Sequence, residues 1–202
     1  MQNLEIEFKN MLTKGEYVRL FQFFKLGKEA IFTQENHYFD TADFLLKKNR
    51  AALRIREKNR KYELTLKQPY KEGLLETNEL LSAQEAEQAL SDNILPNGTI
   101  RKLIEEMGIP FAQLEYFGSL VTKRAEINDS NGLFVLDNST YLSTEDYELE
   151  YEVENLQHGQ AFFKQFLAQH DIPIRETKNK VHRFYERKYS MLNSQGELLD
   201  EN

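Results

Sequence analysis

Eight stretches of the chain alternate apolar and polar residues with a period of two, the signature of strands that bury one face. They are Leu4–Lys9, Gln34–Asp40, Ala52–Lys58, Tyr62–Lys67, Leu74–Leu80, Gly118–Ile127, Gly132–Asn138 and Asp146–Glu154. Short polar links such as Asn59–Lys61, Asn128–Asn131 and Ser139–Glu145 join several of them in the manner of hairpins. Four helices interrupt the series. Thr13 and Glu16 have capping-box spacing ahead of Tyr17, Leu20, Phe21 and Phe24, and Ser82 and Glu85 repeat that spacing before a segment running to about Leu95. A third helix spans Thr99 to Met107 and stops at Gly108 with Pro110 beyond, and a fourth covers about His158 to His170. The pattern predicts an α+β fold: an eight-stranded antiparallel β-barrel, or a strongly curved sheet, with flanking helices on its outside.

The length of 202 residues suits one domain, expected over residues 1–190, with 191–202 a disordered tail that lacks periodicity. The absence of cysteine removes disulfides, thiol catalysis and cysteine-ligated zinc. No apolar run is long enough to span a bilayer and no signal pattern opens the chain, so a cytoplasmic location without membrane contact is the expectation. A net charge of −7 argues against nucleic acid as a partner. A basic cavity inside an acidic exterior remains compatible with it. Exposed remnants of the phenylalanine clusters leave a homodimer open.

The polar face of the strands changes the picture most. It carries Glu5, Glu7 and Lys9 on the first strand, Arg54 and Arg56 on the third, and Glu63, Thr65 and Lys67 on the fourth. Arg124, Asp137, Glu148, Glu150 and Glu152 follow on the last three. One reading is a solvated face with weak cross-strand salt bridges. Against it, like charges repeat at i and i+2, roughly 7 Å apart on one face. A second reading turns this face into a barrel lumen, where charges need one another or a highly charged ligand. A metal–polyphosphate complex meets both needs, since carboxylates hold Mg²⁺ or Mn²⁺ and Arg or Lys holds phosphate. A carboxylate pair for glycoside-type acid/base chemistry is a third reading, and it leaves the basic residues idle.

Glu5-Ile6-Glu7-Phe8-Lys9 resembles the E-x-E-x-K signature of the CYTH superfamily, the triphosphate tunnel metalloenzymes. The likeness continues through Tyr38-Phe39-Asp40-Thr41, Leu53-Arg54-Ile55-Arg56, Glu63–Lys67, Glu76, Arg124, Asp137, Glu148-Leu149-Glu150 and Lys178-Asn179-Lys180. It covers about residues 2 to 188 and looks nearest to the small Firmicute members of the YjbK type. The resemblance implies a tunnel in which Glu5, Glu7, Glu148 and Glu150 are catalytic metal ligands, with Glu152 an addition. Lys9, Arg54, Arg56, Lys67, Arg124 and a late lysine, Lys178 or Lys180, would bind the phosphates, with Glu76 and Asp137 orienting water, metal or a basic neighbour in the substrate site. Asn78 stands where the family's strand five has a second acid. The implied activity is metal-dependent hydrolysis of a triphosphate-bearing small molecule, inorganic tripolyphosphate first. Adenylate cyclase, thiamine triphosphatase and a non-catalytic polyphosphate or nucleotide binder are the alternatives.

Overall fold

The computed structural model describes the backbone of residues 1–197 and the side chains of residues 1–191. All eight alternating stretches are strands: β1 (Gln2–Leu12), β2 (Ile31–Thr41), β3 (Ala52–Lys58), β4 (Lys61–Tyr70), β5 (Gly73–Leu81), β6 (Leu114–Asp129), β7 (Gly132–Tyr141) and β8 (Thr144–Val153). They close into a barrel in the order β1-β5-β4-β3-β2-β6-β7-β8. Every pairing is antiparallel.

The apolar parity faces outward, where helices cover it. Leu53, Ile55, Leu64 and Leu66 pack beneath α3 (Ala83–Asp92) and α4 (Thr99–Glu106), against Ala89, Ile100 and Ile104. On the other side Leu136, Leu149 and Tyr151 meet Leu20 of α1 (Lys14–Phe23) and Phe163, Phe166 and Leu167 of α5 (Leu156–Gln169). Register is set by this burial. A one-residue slip of β3 would expose Leu53 and Ile55, costing about 1.5–3 kcal/mol for each. Both expected capping boxes are present, at Thr13/Glu16 and Ser82/Glu85.

Three elements depart from the sequence reading. A four-residue helix, α2 (Leu45–Lys48), follows β2 and is too short to leave a periodic trace. The helix α3 stops at Asp92, where Asn93 takes a left-handed conformation (φ 57°), short of Leu95. A last helix, α6 (Lys180–Glu197), continues past Met191, where a disordered tail was expected. Residues 198–202 of that tail lie outside the described residues. Among the described residues no helix is long and apolar enough to cross a membrane.

The helix α6 plugs one end of the barrel. Phe184 and Val181 pack on Tyr38, Leu120 and Tyr141, which point inward from β2, β6 and β7. Gly118 makes room: its φ is +143°, and a Cβ there would lie 2.5 Å from Phe184 Cζ. The β2–β6 register shifts at the adjacent Tyr38/Phe39 step.

Candidate functional site

Inward parity brings charged side chains of seven strands into one lumen, to which β2 adds Gln34, Asn36 and Tyr38. Register places Lys9 opposite Glu150 and Glu7 opposite Glu152 across β1 and β8. Arg124 stands opposite Asp137, and Asp137 opposite Glu148. Lys67 faces Glu76, and Arg56 faces both Asn36 and Glu63. At the end flanked by α2 and α6 a cavity of about 420 Å³ is lined by Glu5, Glu7, Lys9, Arg54, Arg56, Lys67, Arg124, Glu150 and Lys180, among others.

One side of the lumen is a network of paired charges. Arg124 makes a bidentate contact with Asp137 (2.9 and 2.7 Å) and reaches Glu150 at 2.9 Å. Lys180, at the start of α6, contacts Glu150 at 2.5 Å, Asp137 at 2.9 Å and Glu148 at 3.2 Å. Arg183, one turn on, bonds Glu148 at 2.6 Å and Asp146 at 2.9 Å. Asp137 and Glu148 have no exposed surface. Such burial costs several kcal/mol per ion, and only this density of partners offsets it. Burial alone would raise Glu150, yet Lys180, Arg124 and Lys9 hold it well below the usual carboxylate range. Burial lowers Lys180, but Asp137, Glu148 and Glu150 overcome that and raise it well above an ordinary lysine.

The opposite wall is left unbalanced. Among the described residues Arg56 has no carboxylate partner; its Nε donates to Asn36 Oδ1 at 3.2 Å, and burial, with Arg54 and Arg124 close by, lowers it to about 10. Arg54 Nε is buried without a partner, and its contact to Glu76 is long at 3.7 Å. The acid side shows the converse. Glu152 makes no ion pair among the described residues, and burial, followed by the charges of Glu5, Glu150 and Glu7 against that of Arg124, raises it to about 7. Glu148 Oε1 is buried with no hydrogen-bond partner, and burial with the neighbouring Glu150 charge raises Glu148 despite Lys180 and Arg183. The lumen thus holds a cationic wall in need of an anion and carboxylates in need of a cation.

Most sequence-singled residues converge here. Between the two walls, Lys9 pairs with Glu7 at 2.5 Å, and Lys67 with both Glu5 and Glu76 at 2.6 Å. Lys178 is the exception. Its ammonium points away from the lumen to the exposed Glu186 at 2.5 Å, because it precedes α6 by two residues while Lys180 occupies the first helical position. The late lysine of the lumen is Lys180. Sequence reasoning did not single out Arg183; its i+3 spacing from Lys180 on one helix face was the available signal. It also missed Lys47 and Arg50 from the α2 segment, Asn36, and Tyr185, all of which line the cavity. Asp40, buried at 2% exposure, accepts from the N–H groups of Thr41, Leu46 and Lys47 and from Tyr185 Oη, tying α2 to α6.

Among the described residues no three acids or histidines stand assembled as a ligand set. The donor chemistry nonetheless fits a hard divalent cation. Glu152 and Glu148 Oε1 are free of partners, and the Lys9–Glu7 and Lys67–Glu5 pairs can each exchange, lysine to phosphate and carboxylate to metal, without baring a charge.

The barrel has solved counterparts. A candidate adenylate cyclase from Bacillus halodurans, 42% identical, superposes with a TM-score of 0.88 over 91% of this chain and 98% of its own. A candidate adenylyl cyclase from Hippeastrum, 23% identical, matches at 0.71 over 92% and 96% of the two chains and shows the same fold. In sequence, the chain is 48% identical over 187 residues to YjbK of Bacillus subtilis strain 168, a candidate triphosphatase, covering 93% of this chain and 97% of that one. The CYTH domain model matches residues 3–185, which takes in all eight strands but for the first residue of β1, together with the lumen residues and the lysine and arginine that α6 inserts. The closed charged barrel and this span have one source: the chain belongs to the CYTH domain family.

Proposed function

We propose that this protein is a metal-dependent hydrolase of a triphosphate-bearing small molecule, with inorganic tripolyphosphate its first substrate. The observation that carries the reading is the pairing of unmatched charge across one lumen: among the described residues Arg56 is bonded to no acid and Arg54 has only a long 3.7 Å contact to Glu76, while Glu152 is bonded to no base and Glu148 Oε1 has no partner. A polyanion with a divalent cation satisfies both walls at once. The 48% identity to a candidate triphosphatase supports the same class.

In this reading Arg54, Arg56, Lys9 and Lys67 bind phosphate oxygens, the arginines through paired N–H donors. Glu76 holds Lys67 in place, and Asp137 orients Arg124 and Lys180 toward the same space. Glu5, Glu7 and Glu152, with Glu148 and Glu150, would hold Mg²⁺ or Mn²⁺. When bound, that ion supplies charge neutralisation on the phosphate oxygens and a polarised water. The fixed cations are already positioned where charge spreads over the transferring phosphoryl group, so little reorganisation is needed. Hydrolysis adds water across a terminal anhydride and yields orthophosphate and pyrophosphate.

A product assay decides. Tripolyphosphate, thiamine triphosphate and ATP are each incubated with the protein in Mg²⁺ and in Mn²⁺, and the products are identified. Orthophosphate released from tripolyphosphate, abolished by Glu5→Gln, is the expected result. Cyclic AMP with pyrophosphate from ATP would instead favour the cyclase reading, to which the 42% identical candidate cyclase points. Binding without turnover of any compound would end the enzyme claim.

A further inference from the structure

The two openings of the lumen carry opposite charge. At the end flanked by α2 and α6 the cavity is lined by eight Lys or Arg side chains against three Glu. Over the β6–β7 rim the second cavity, about 880 Å³, is lined by three Arg against five Glu, among them Glu126, Glu152 and Glu154. Both cavities share Glu5, Arg54, Arg56 and Arg124, so they are the two ends of one passage. A polyanion approaching the acidic end meets like charge, and one approaching the α2 end meets a field of the opposite sign.

Two of the eight basic residues, Lys47 and Arg50, are outside the barrel. Arg50 is exposed, and its guanidinium makes no hydrogen bond or ion pair among the described residues. Lys47 has no carboxylate partner among the described residues either. Its ammonium lies 4.9 Å from the Tyr185 ring, 5.4 Å from that of Tyr189 and 5.9 Å from that of Phe44, while the nearby acid Glu186 is bonded to Lys178. Their backbone is held in place at a conformational cost. Phe44 (φ 56°) and Arg50 (φ 56°) are left-handed non-glycine residues that bracket α2. Asp40 and the Ala51 N–H to Leu46 O bond (2.9 Å) hold the segment between them. Left-handed residues kept in place by surrounding bonds gather at ligand clamps.

We propose that Lys47 and Arg50 form an outer phosphate subsite at the mouth by which substrate enters. It takes the phosphates of a linear polyphosphate beyond the three held in the lumen. The inference rests on the lumen binding triphosphate, and it adds a length preference: chains of four or more phosphates bind more tightly than tripolyphosphate because only they reach α2.

The test is calorimetric titration of the full chain with tripolyphosphate and with tetrapolyphosphate, in EDTA so that neither is consumed. The variants are Lys47→Ala/Arg50→Ala and, as a control of equal charge loss, Lys48→Ala/Lys61→Ala, two exposed residues that do not line the cavity. The first pair should weaken tetrapolyphosphate at least fivefold more than tripolyphosphate, as loss of one or two charged contacts implies. The control pair should weaken both ligands by similar small factors, since neither side chain lines the passage and an exposed charge acts on both ligands through the same screened attraction. A selective loss below fivefold, or an equal one in the control, overturns the subsite while leaving the triphosphate reading intact. Failure of the unaltered protein to bind tripolyphosphate both in EDTA and in Mg²⁺ overturns the reading beneath it. Circular dichroism melting confirms that both variants are folded.

Discussion

Arg56 and Lys180 carry the same charge in the same lumen but stand in opposite relation to the fold. Lys180 neutralises three buried carboxylates, so Lys180→Ala would leave Asp137, Glu148 and Glu150 undercompensated. Breaking a buried pair from one side costs about 3–5 kcal/mol. Arg56 is bonded to no carboxylate among the described residues and is pushed down by burial first and then by Arg54 and Arg124. Arg56→Ala should therefore change unfolding free energy by less than about 1 kcal/mol while weakening tripolyphosphate binding about tenfold or more. Urea unfolding and calorimetry on the two variants separate the roles. Equal destabilisation by both would contradict the division between a structural and a substrate-facing cation.

Among the elements, α6 does the most for the site and was not among the four helices expected from the sequence. Its Lys180 and Arg183 complete the acid wall, and its Phe184 closes the end of the barrel against Gly118. Gly118→Ala would put a methyl 2.5 Å from Phe184 Cζ and hold a side chain at φ +143°. A cost of about 2 kcal/mol or more is expected. The element-level signature is coupling. In a double-mutant cycle, Gly118→Ala with Phe184→Ala should cost at least about 1 kcal/mol less than the two separate losses together, because truncating the ring removes the clash. Simple additivity would show that Gly118 matters for backbone reasons alone. The short helix α2 escaped notice for a related reason: its four residues are set by hydrogen bonds to Asp40, a tertiary contact, and no periodicity records them.

For the molecule as a whole, the lumen makes stability depend on pH. Glu152 moves from 4.5 to about 7 on folding, through burial first and then Glu5. A folded value above the unfolded one means the native state binds the extra proton. Its contribution is complete below about pH 4.5 and is lost as pH rises through 7. Metal-free protein should therefore lose about 1–2 kcal/mol between pH 5 and pH 8 from this group, after allowance for solvent screening. Glu152→Gln should flatten that decline, read as melting temperature against pH in EDTA. A wild-type profile that rises over this range, or an unchanged slope in the variant, would contradict the placement of Glu152 among Glu5, Glu7 and Glu150. The overall charge of −7 and the basic α2 mouth coexist because acids and bases are segregated by strand parity, which summed charge does not register.

Parity is also what the sequence by itself determined. Period-two alternation gave all eight strands, the α+β class, and the shared facing of Glu5, Glu7, Lys9, Arg54 and Arg56, because burying the apolar face fixes which side each neighbour takes. The tertiary structure alone decided which charges are matched. Lys180 over Lys178, the recruitment of Arg183, and the solitary states of Arg56 and Glu152 depend on where α6 docks and how the barrel is staggered. Ion pairing acts over a few ångströms between residues 30 to 37 positions apart, as Lys180 with Glu150 and Arg183 with Glu148 and Asp146, a separation that no local pattern encodes.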